Sequence, residues 1–196
     1  RKSTTSLGRV YSDMDILVDK KQLRNIERKL SLFGWFTQKI DDYDEKYYRQ
    51  WAHEIPPMQQ SSRGTIADIH HNLLPPISGR APDISLFTKR LHKTSEGLYT
   101  LNKSAMVLHS IIHLFFNEEF SNGFRDLSDL HLMFSEENEQ SAFWTDLVAL
   151  STETKFNTEL YYAVRYCQKI TTTQFPEKFI KLVNKNKVNS LKLTLA

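Results

Sequence analysis

The N-terminal part of the chain combines a short apolar run with an amphipathic pattern. Residues 15–18, DILV, predict a buried strand that begins at Asp15. Apolar residues then recur at helical spacing, at Leu23, Ile26, Leu30 and Phe33. Asp19 and Gln22 have the spacing of a capping box before this helix, and Gly34 is a natural stop after it. The first unit is therefore predicted to be a strand followed by a helix.

The pattern changes between residues 43 and 71. Residues 47–55, YYRQWAHEI, are aromatic and partly alternating, and residues 64–73, GTIADIHHNL, alternate after a glycine. Both patterns predict strands, the first interrupted by Pro56 and the second closed by Pro75. Residues 77–100 predict irregular structure or a short helix.

The C-terminal half is helical from about Asn102. Four apolar stripes have helical spacing: Ala105, Leu108, Ile112 and Phe115; Leu127, Leu130 and Phe134; Phe143, Leu147 and Leu150; Leu160, Val164 and Cys167. Pro176 suits the first turn of a fifth helix. Because strands and helices segregate along the chain, we predict an α+β fold. Residues 1–100 would form a small mixed β-sheet domain and residues 101–196 a helical domain.

Composition limits the classes of protein to be considered. A net charge of +3 is too small to indicate nucleic-acid binding by itself. A single cysteine, Cys167, excludes an internal disulfide framework and a cysteine-based zinc cluster, and it fits a reducing, cytoplasmic setting. No run of about 18 apolar residues is present, so we expect no membrane partner.

Carboxylates provide the candidate chemistry. Side chains alternate along a strand, so Asp13 and Asp15 would share one side of the first strand, and Asp68 and His70 one side of a second. If these strands pair, three carboxylates converge at one end of a sheet, where Mg²⁺ or Mn²⁺ would find oxygen ligands for phosphoryl or nucleotidyl transfer. The alternative is a polar turn that enters a sheet. His70 would contact nucleotide, acceptor or metal-bound water.

Two further histidines leave another alternative open. His109 and His113 are four residues apart on a predicted helix, a spacing that suits zinc, but residue 110 is serine where a metalloprotease helix has glutamate. Structural packing explains this pair, while a zinc hydrolase using His70, His109 and His113 is a rival hypothesis.

Several segments together resemble a known family. They are GRVYSDMDILVDKKQLRNIERKLSLFGW, IADIHHNLL, SAMVLHSIIHLFF and RDLSDLHLMF, within residues 8–134. The chain resembles the uncharacterised nucleotidyltransferases of the polymerase-beta-like superfamily. Members share an arginine, a short spacer, an Asp-x-Asp strand, a helix that ends in Gly-aromatic, and a later acidic-x-His strand.

The resemblance implies a reaction and a set of roles. Asp13 and Asp15 would bind the catalytic metals, and Asp68 would be a third ligand and a general base. Gly8, Arg9 and Ser12 would lie near the triphosphate, where an arginine fork and backbone amides suit phosphate oxygens. The enzyme would move a nucleoside monophosphate from a nucleoside triphosphate such as ATP to a hydroxyl of a small molecule, a protein or an RNA, with release of pyrophosphate.

One departure from the superfamily leaves a second function open. The superfamily has a Gly-Ser or Lys-Gly element ahead of the Asp-x-Asp strand, and none of the twelve residues before Asp13 matches it. We expect this element upstream of Arg1. Without it, the chain would be a non-catalytic module of the same fold that binds nucleotide or a protein.

Overall fold

The computed structural model describes residues 5, 13–37, 40–116, 122–137 and 139–185. These residues form two compact units that divide after Ile84. We call residues 13–84 the sheet unit and residues 85–185 the helical unit. Within these described ranges, no helix is both long and apolar enough to cross a membrane.

The sheet unit is built on four strands in the order β1-β4-β3-β2. Their bounds are Asp13–Leu17 for β1, Trp35–Thr37 for β2, Met58–Gln60 for β3 and Ile66–His70 for β4. Strand β1 pairs parallel to β4, and the other two pairings are antiparallel, which confirms the predicted mixed sheet. The prediction that β1 is buried is wrong. Among the described strands it lies at the edge of the sheet, and Met14 and Ile16 stay 43% and 38% exposed.

The first predicted helix packs on the apolar face of this sheet. Helix α1, Leu23–Leu32, carries a stripe that packs against a buried cluster of Ile55, Met58, Ala67 and Ile69. Gly34 follows with φ of +79°, which confirms the predicted stop because glycine adopts this conformation without strain. Asp19 caps a 3₁₀ turn at Lys20–Gln22 and accepts from the Lys21 amide, so the capping box with Gln22 is not formed.

The strand predicted at residues 47–55 is wrong. The first four of its nine residues, 47–50, belong to helix α2, Asp42–Gln50. Asp41 caps the helix by accepting from the Asp44 amide at 2.8 Å, and acidic side chains in the first turn favour its positive end. Only Glu54 contributes to the sheet, through an isolated antiparallel bridge to His70. The aromatic side chains therefore have helical spacing, although over a short stretch they also alternate as they would in a strand.

The helical unit opens with a short helix, one of the two alternatives predicted for residues 77–100, and a hairpin that the sequence pattern did not indicate. A short helix α3, Ser85–Thr88, is followed by a hairpin of β5, Leu91–Lys93, and β6, Tyr99–Leu101. The five predicted helices follow and are confirmed. They are α4, Lys103–Phe116; α5, Gly123–Glu136; α6, Ser141–Glu153; α7, Asn157–Ile170; and α8, Glu177–Asn184. The unit therefore begins before the predicted boundary at residue 100.

Candidate active site

The pairing of β1 with β4 brings two aspartates side by side. Asp15 is the register partner of Asp68, and Asp13 lies two residues earlier on the same side of β1. On β4 the alternate residues Ala67 and Ile69 are buried, at 1% and 0% exposure, in the core beneath α1. The sheet thus has an apolar face toward its core and a carboxylate face on the opposite side.

The Asp68 carboxylate has an unfavourable electrostatic environment on this face. Its Oδ1 atom is buried and has no hydrogen-bond partner among the described residues. Burial, followed by the negative charges of Asp13 and Asp15, raises the pKa of the Asp68 carboxyl, while His70 opposes the rise. A cation at this oxygen would replace the missing hydrogen-bond donor and neutralise the repulsion between the carboxylates. The three carboxylates therefore fit a hard divalent ion, which prefers oxygen ligands.

His70 lies between two carboxylates. Its Nε2 atom is 3.1 Å from Asp15 Oδ1, and its Nδ1 atom is 3.1 Å from Glu54 Oε2. Both ring nitrogens donate only in the imidazolium, which is the form that matches two carboxylate partners. Burial lowers the pKa of His70, but the Asp15 hydrogen bond and the charges of Glu54, Asp15 and Asp68 outweigh it, so the pKa lies above its usual value.

Glu54 is a member of the site that the sequence reasoning missed. Burial raises the pKa of the Glu54 carboxyl, and the charges of Asp68 and Asp15 add to the rise, while His70 lowers it. Tyr48, on α2, lies in the same field, since burial and then the charge of Glu54 raise the pKa of its hydroxyl. No local signal marked either residue, because the alternating pattern of residues 47–55 predicts a strand with no site residue on it.

A second set of donors adjoins the carboxylates. His53, Glu54 and His70 each offer one ligand atom, and these atoms lie within 4.8 Å of one another. The rings of His53 and His70 stack with centroids 5.2 Å apart. Of the three histidines in the rival zinc hypothesis, His70 belongs to this set, whereas His109 and His113 lie on α4 in the helical unit. Two imidazoles and a carboxylate suit a transition metal rather than Mg²⁺.

Three of the predicted site residues belong to the segment before β1. Gly8, Arg9 and Ser12 lie outside the described residues, so their assignment to the triphosphate remains a prediction. A groove of about 570 Å³ lies elsewhere in the sheet unit, lined by Arg24, Arg28, Arg49, Trp35 and other residues of α1, α2, β2 and β3. None of the three site aspartates lines it.

Comparison with known proteins now assigns the family. A family model described as uncharacterised nucleotidyltransferase matches residues 5–172. The chain belongs to this family. No curated protein and no solved structure matches the chain. Family membership confirms the resemblance and supports nucleotidyl transfer as the general chemistry.

The sheet unit of this nucleotidyltransferase brings four of the predicted site residues to one face. Asp13, Asp15 and Asp68 come from two paired strands, and His70 reaches Asp15 from the same side of β4. The match extends over α1 to α7, so it covers the sheet unit and the helical unit as far as residue 172.

Proposed function

We propose that the chain transfers a nucleoside monophosphate from a nucleoside triphosphate to a hydroxyl acceptor and releases pyrophosphate. The observation that carries this proposal is the carboxylate face, where Asp15 pairs in register with Asp68 and Asp13 lies on the same side. The family match supports the reaction class. The acceptor is a small molecule, a protein side chain or an RNA end.

The carboxylates would hold Mg²⁺ or Mn²⁺. Asp13, Asp15 and Asp68 offer hard oxygen ligands, and the buried Asp68 Oδ1 gains most from a cation because no described group donates to it. A bound ion would neutralise charge on the phosphates during transfer. Asp13 and Asp15 would set the position of the triphosphate relative to the sheet, since both project from one strand.

Asp68 is also the proposed general base. It lies on the carboxylate face beside Asp15, where the acceptor hydroxyl would approach the α-phosphorus, and a positioned carboxylate can accept that proton. The acceptor hydroxyl gives its proton to Asp68, its oxygen forms a bond to the α-phosphorus, and the bond between that phosphorus and the β-bridging oxygen breaks. The electron pair of the broken bond leaves with pyrophosphate.

The remaining candidates would bind the nucleotide. Gly8, Arg9 and Ser12 precede β1 directly in the chain and would supply amides, a guanidinium and a hydroxyl to the phosphates. His70 borders the carboxylate face through its bond to Asp15, where a nucleotide or its bound ion would approach.

Calorimetry with each of the four common nucleoside triphosphates, with Mg²⁺ or Mn²⁺, tests the proposal. We expect metal-dependent binding that the Asp13→Asn, Asp15→Asn double variant loses by about 100-fold or more, since two charged ligands are removed. Asp41→Asn with Asp42→Asn is the matched control. It removes two exposed charges at the start of α2, and asparagine still caps the helix.

Three results would contradict the proposal in different ways. Equal loss in both double variants would mean that net charge, and not the carboxylate face, governs binding. Nucleotide binding without a metal requirement would favour a non-catalytic binding module. Absence of any nucleotide binding to the wild-type protein would mean that the fold is kept for another function.

A further inference from the structure

We infer that Glu54 and His70 position the Asp15 carboxylate for its metal, an inference that rests on the proposed function. The three side chains form a continuous chain of contacts, from Glu54 Oε2 to His70 Nδ1 and from His70 Nε2 to Asp15 Oδ1, each link 3.1 Å long. Glu54 and His70 are therefore positioning residues that act through Asp15.

Backbone hydrogen bonds hold Glu54 and His70 side by side. The Ile55 amide donates to the Ile69 carbonyl at 3.1 Å, and the His71 amide donates to the His53 carbonyl at 2.7 Å. These bonds hold Glu54 directly beside His70, where the isolated bridge forms. Ile55 and Ile69 are also buried in the sheet core, so this segment is anchored by packing as well.

The side chain of Asp15 is far more exposed than those of His70 and Glu54, which support it. The Asp15 side chain is 72% exposed, whereas those of His70 and Glu54 are 19% and 23% exposed. An exposed aspartate samples several rotamers unless a neighbour restrains it. The ring of His70 restrains Asp15, and the carboxylate of Glu54 with the stacked ring of His53 restrains His70.

The contacts are compatible with a metal on Asp15. The two oxygens of a carboxylate together offer about four acceptor sites, so the hydrogen bond from His70 is compatible with cation coordination by the same carboxylate. Hydrogen-bonded partners of this kind orient ligating carboxylates, and their removal usually weakens metal affinity by about 10- to 100-fold.

The test is the affinity of the full chain for Mn²⁺ alone, measured by electron paramagnetic resonance. We expect His70→Ala and Glu54→Ala each to weaken binding by roughly 10-fold or more. His70→Gln should retain most of the affinity, because its amide can donate to Asp15 as Nε2 does. Glu54→Gln should also retain it, since the side chain still hydrogen-bonds Nδ1 after losing its charge.

The variants separate positioning from charge. If Glu54→Gln loses as much affinity as Glu54→Ala, the effect of Glu54 is its charge and the inference is overturned. The same holds if both alanine variants bind like the wild type. If an alanine variant fails to fold by circular dichroism, His70→Asn replaces it, because its shorter amide cannot reach Asp15. Equal affinities of His70→Asn and His70→Gln would then overturn the inference.

Two more variants distinguish this failure from failure of the proposed function. If Asp13→Asn with Asp15→Asn leaves Mn²⁺ affinity unchanged, the carboxylate site itself is wrong. If that variant loses Mn²⁺ while the Glu54 and His70 variants do not, only the positioning role is wrong. If His53→Ala weakens binding as much as His70→Ala, then His53, Glu54 and His70 are themselves ligands and the positioning role is overturned.

Discussion

Two partly buried aspartates, one in each unit, have pKa values that are shifted in opposite directions. Asp68 of the sheet unit has a buried oxygen without a described hydrogen-bond partner, and its pKa is raised. Asp146, on α6 of the helical unit, is surrounded by donors, and its pKa is lowered. Desolvation raises the pKa of both side chains, so the opposite directions of the two shifts come from the neighbouring groups and not from the degree of burial.

The donors of Asp146 come from three residues. Arg90 donates Nε to Oδ1 at 2.8 Å, Asn102 donates Nδ2 to Oδ2 at 3.2 Å, and the hydroxyl of Ser104 also donates to Oδ2. Burial raises the pKa of Asp146, but the bonds from Ser104, Arg90 and Asn102 lower it further than burial raises it. Asp146 thus stabilises the fold by joining the hairpin, α4 and α6.

The comparison teaches how to separate structural from functional carboxylates in this chain. Around Asp146 each oxygen has donors, which is the condition for a stable polar cluster. Around Asp68 the strongest neighbours are the like charges of Asp13 and Asp15, which oppose ionisation in the absence of a cation. An arrangement that is unfavourable without ligand is expected where ligand binding is the purpose.

The largest expected effect concerns Asp146. Asp146→Ala should lower the free energy of unfolding by about 2 kcal/mol, because the buried Ser104 hydroxyl and the Asn102 amide lose an acceptor. Urea unfolding followed by circular dichroism measures this change. Glu153→Ala is the matched control, since Glu153 pairs with the same arginine at 3.2 Å but is more exposed. Its effect should stay below about 1 kcal/mol. Equal effects of the two substitutions would show that the cluster adds nothing beyond charge.

A smaller effect of opposite sign is expected at Asp68. Asp68→Asn should raise the free energy of unfolding of the metal-free protein by about 1 kcal/mol, the ordinary size of a single-substitution effect. The reason is that the amide removes the repulsion from Asp13 and Asp15. Thermal unfolding should also show that Mn²⁺ stabilises the wild type more than the variant. Asp42→Asn, an exposed substitution on α2, should not raise the free energy of unfolding and should not change the stabilisation by Mn²⁺. A metal-free Asp68→Asn variant that is less stable than the wild type would contradict the repulsion.

The local patterns in the sequence were sufficient for the elements that follow one periodicity. The stripes of α1 and of α4 to α8 arise from burial of one helix face, which sequence spacing records directly. Alternation likewise gave β4, with Asp68 and His70 on one side and Ile69 on the other. The prediction for residues 47–50 failed because aromatic side chains favour strands, whereas their helical spacing and the N-cap at Asp41 favour a helix.

The site depended on information that is not local. Asp13, Asp15 and Asp68 could be proposed from their positions, but only the parallel register of β1 with β4 brings Asp15 opposite Asp68. Glu54 could not be found, because it reaches His70 through a single bridge between segments sixteen residues apart. Its residue type and spacing match no motif, and its function depends on the backbone bonds that hold it there.

The smallest expected effect is in the pH dependence of the two aspartates. The folded-state pKa of Asp68 lies above its usual value of 3.8, so its contribution to stability is complete below that pH and is lost as the pH rises through the folded value. The advantage of Asp68→Asn over the wild type should therefore grow between pH 4 and pH 7. For Asp146 the folded-state pKa lies below 3.8, so its contribution is present above that pH and is lost only as the pH falls through the lower value.

Urea titrations of both asparagine variants at several pH values check this contrast. The effect of Asp146→Asn should be constant between pH 4 and pH 7, because its carboxylate is ionised in the folded and unfolded protein over most of that range. The effect of Asp68→Asn should instead change with pH over the same range, because the carboxyl that titrates at this position is present only in the wild type. Parallel pH profiles for the two variants would mean that the neighbours of these carboxylates do not govern their ionisation. A profile for Asp68→Asn that flattens when Mn²⁺ is added would show that the cation neutralises the repulsion from Asp13 and Asp15.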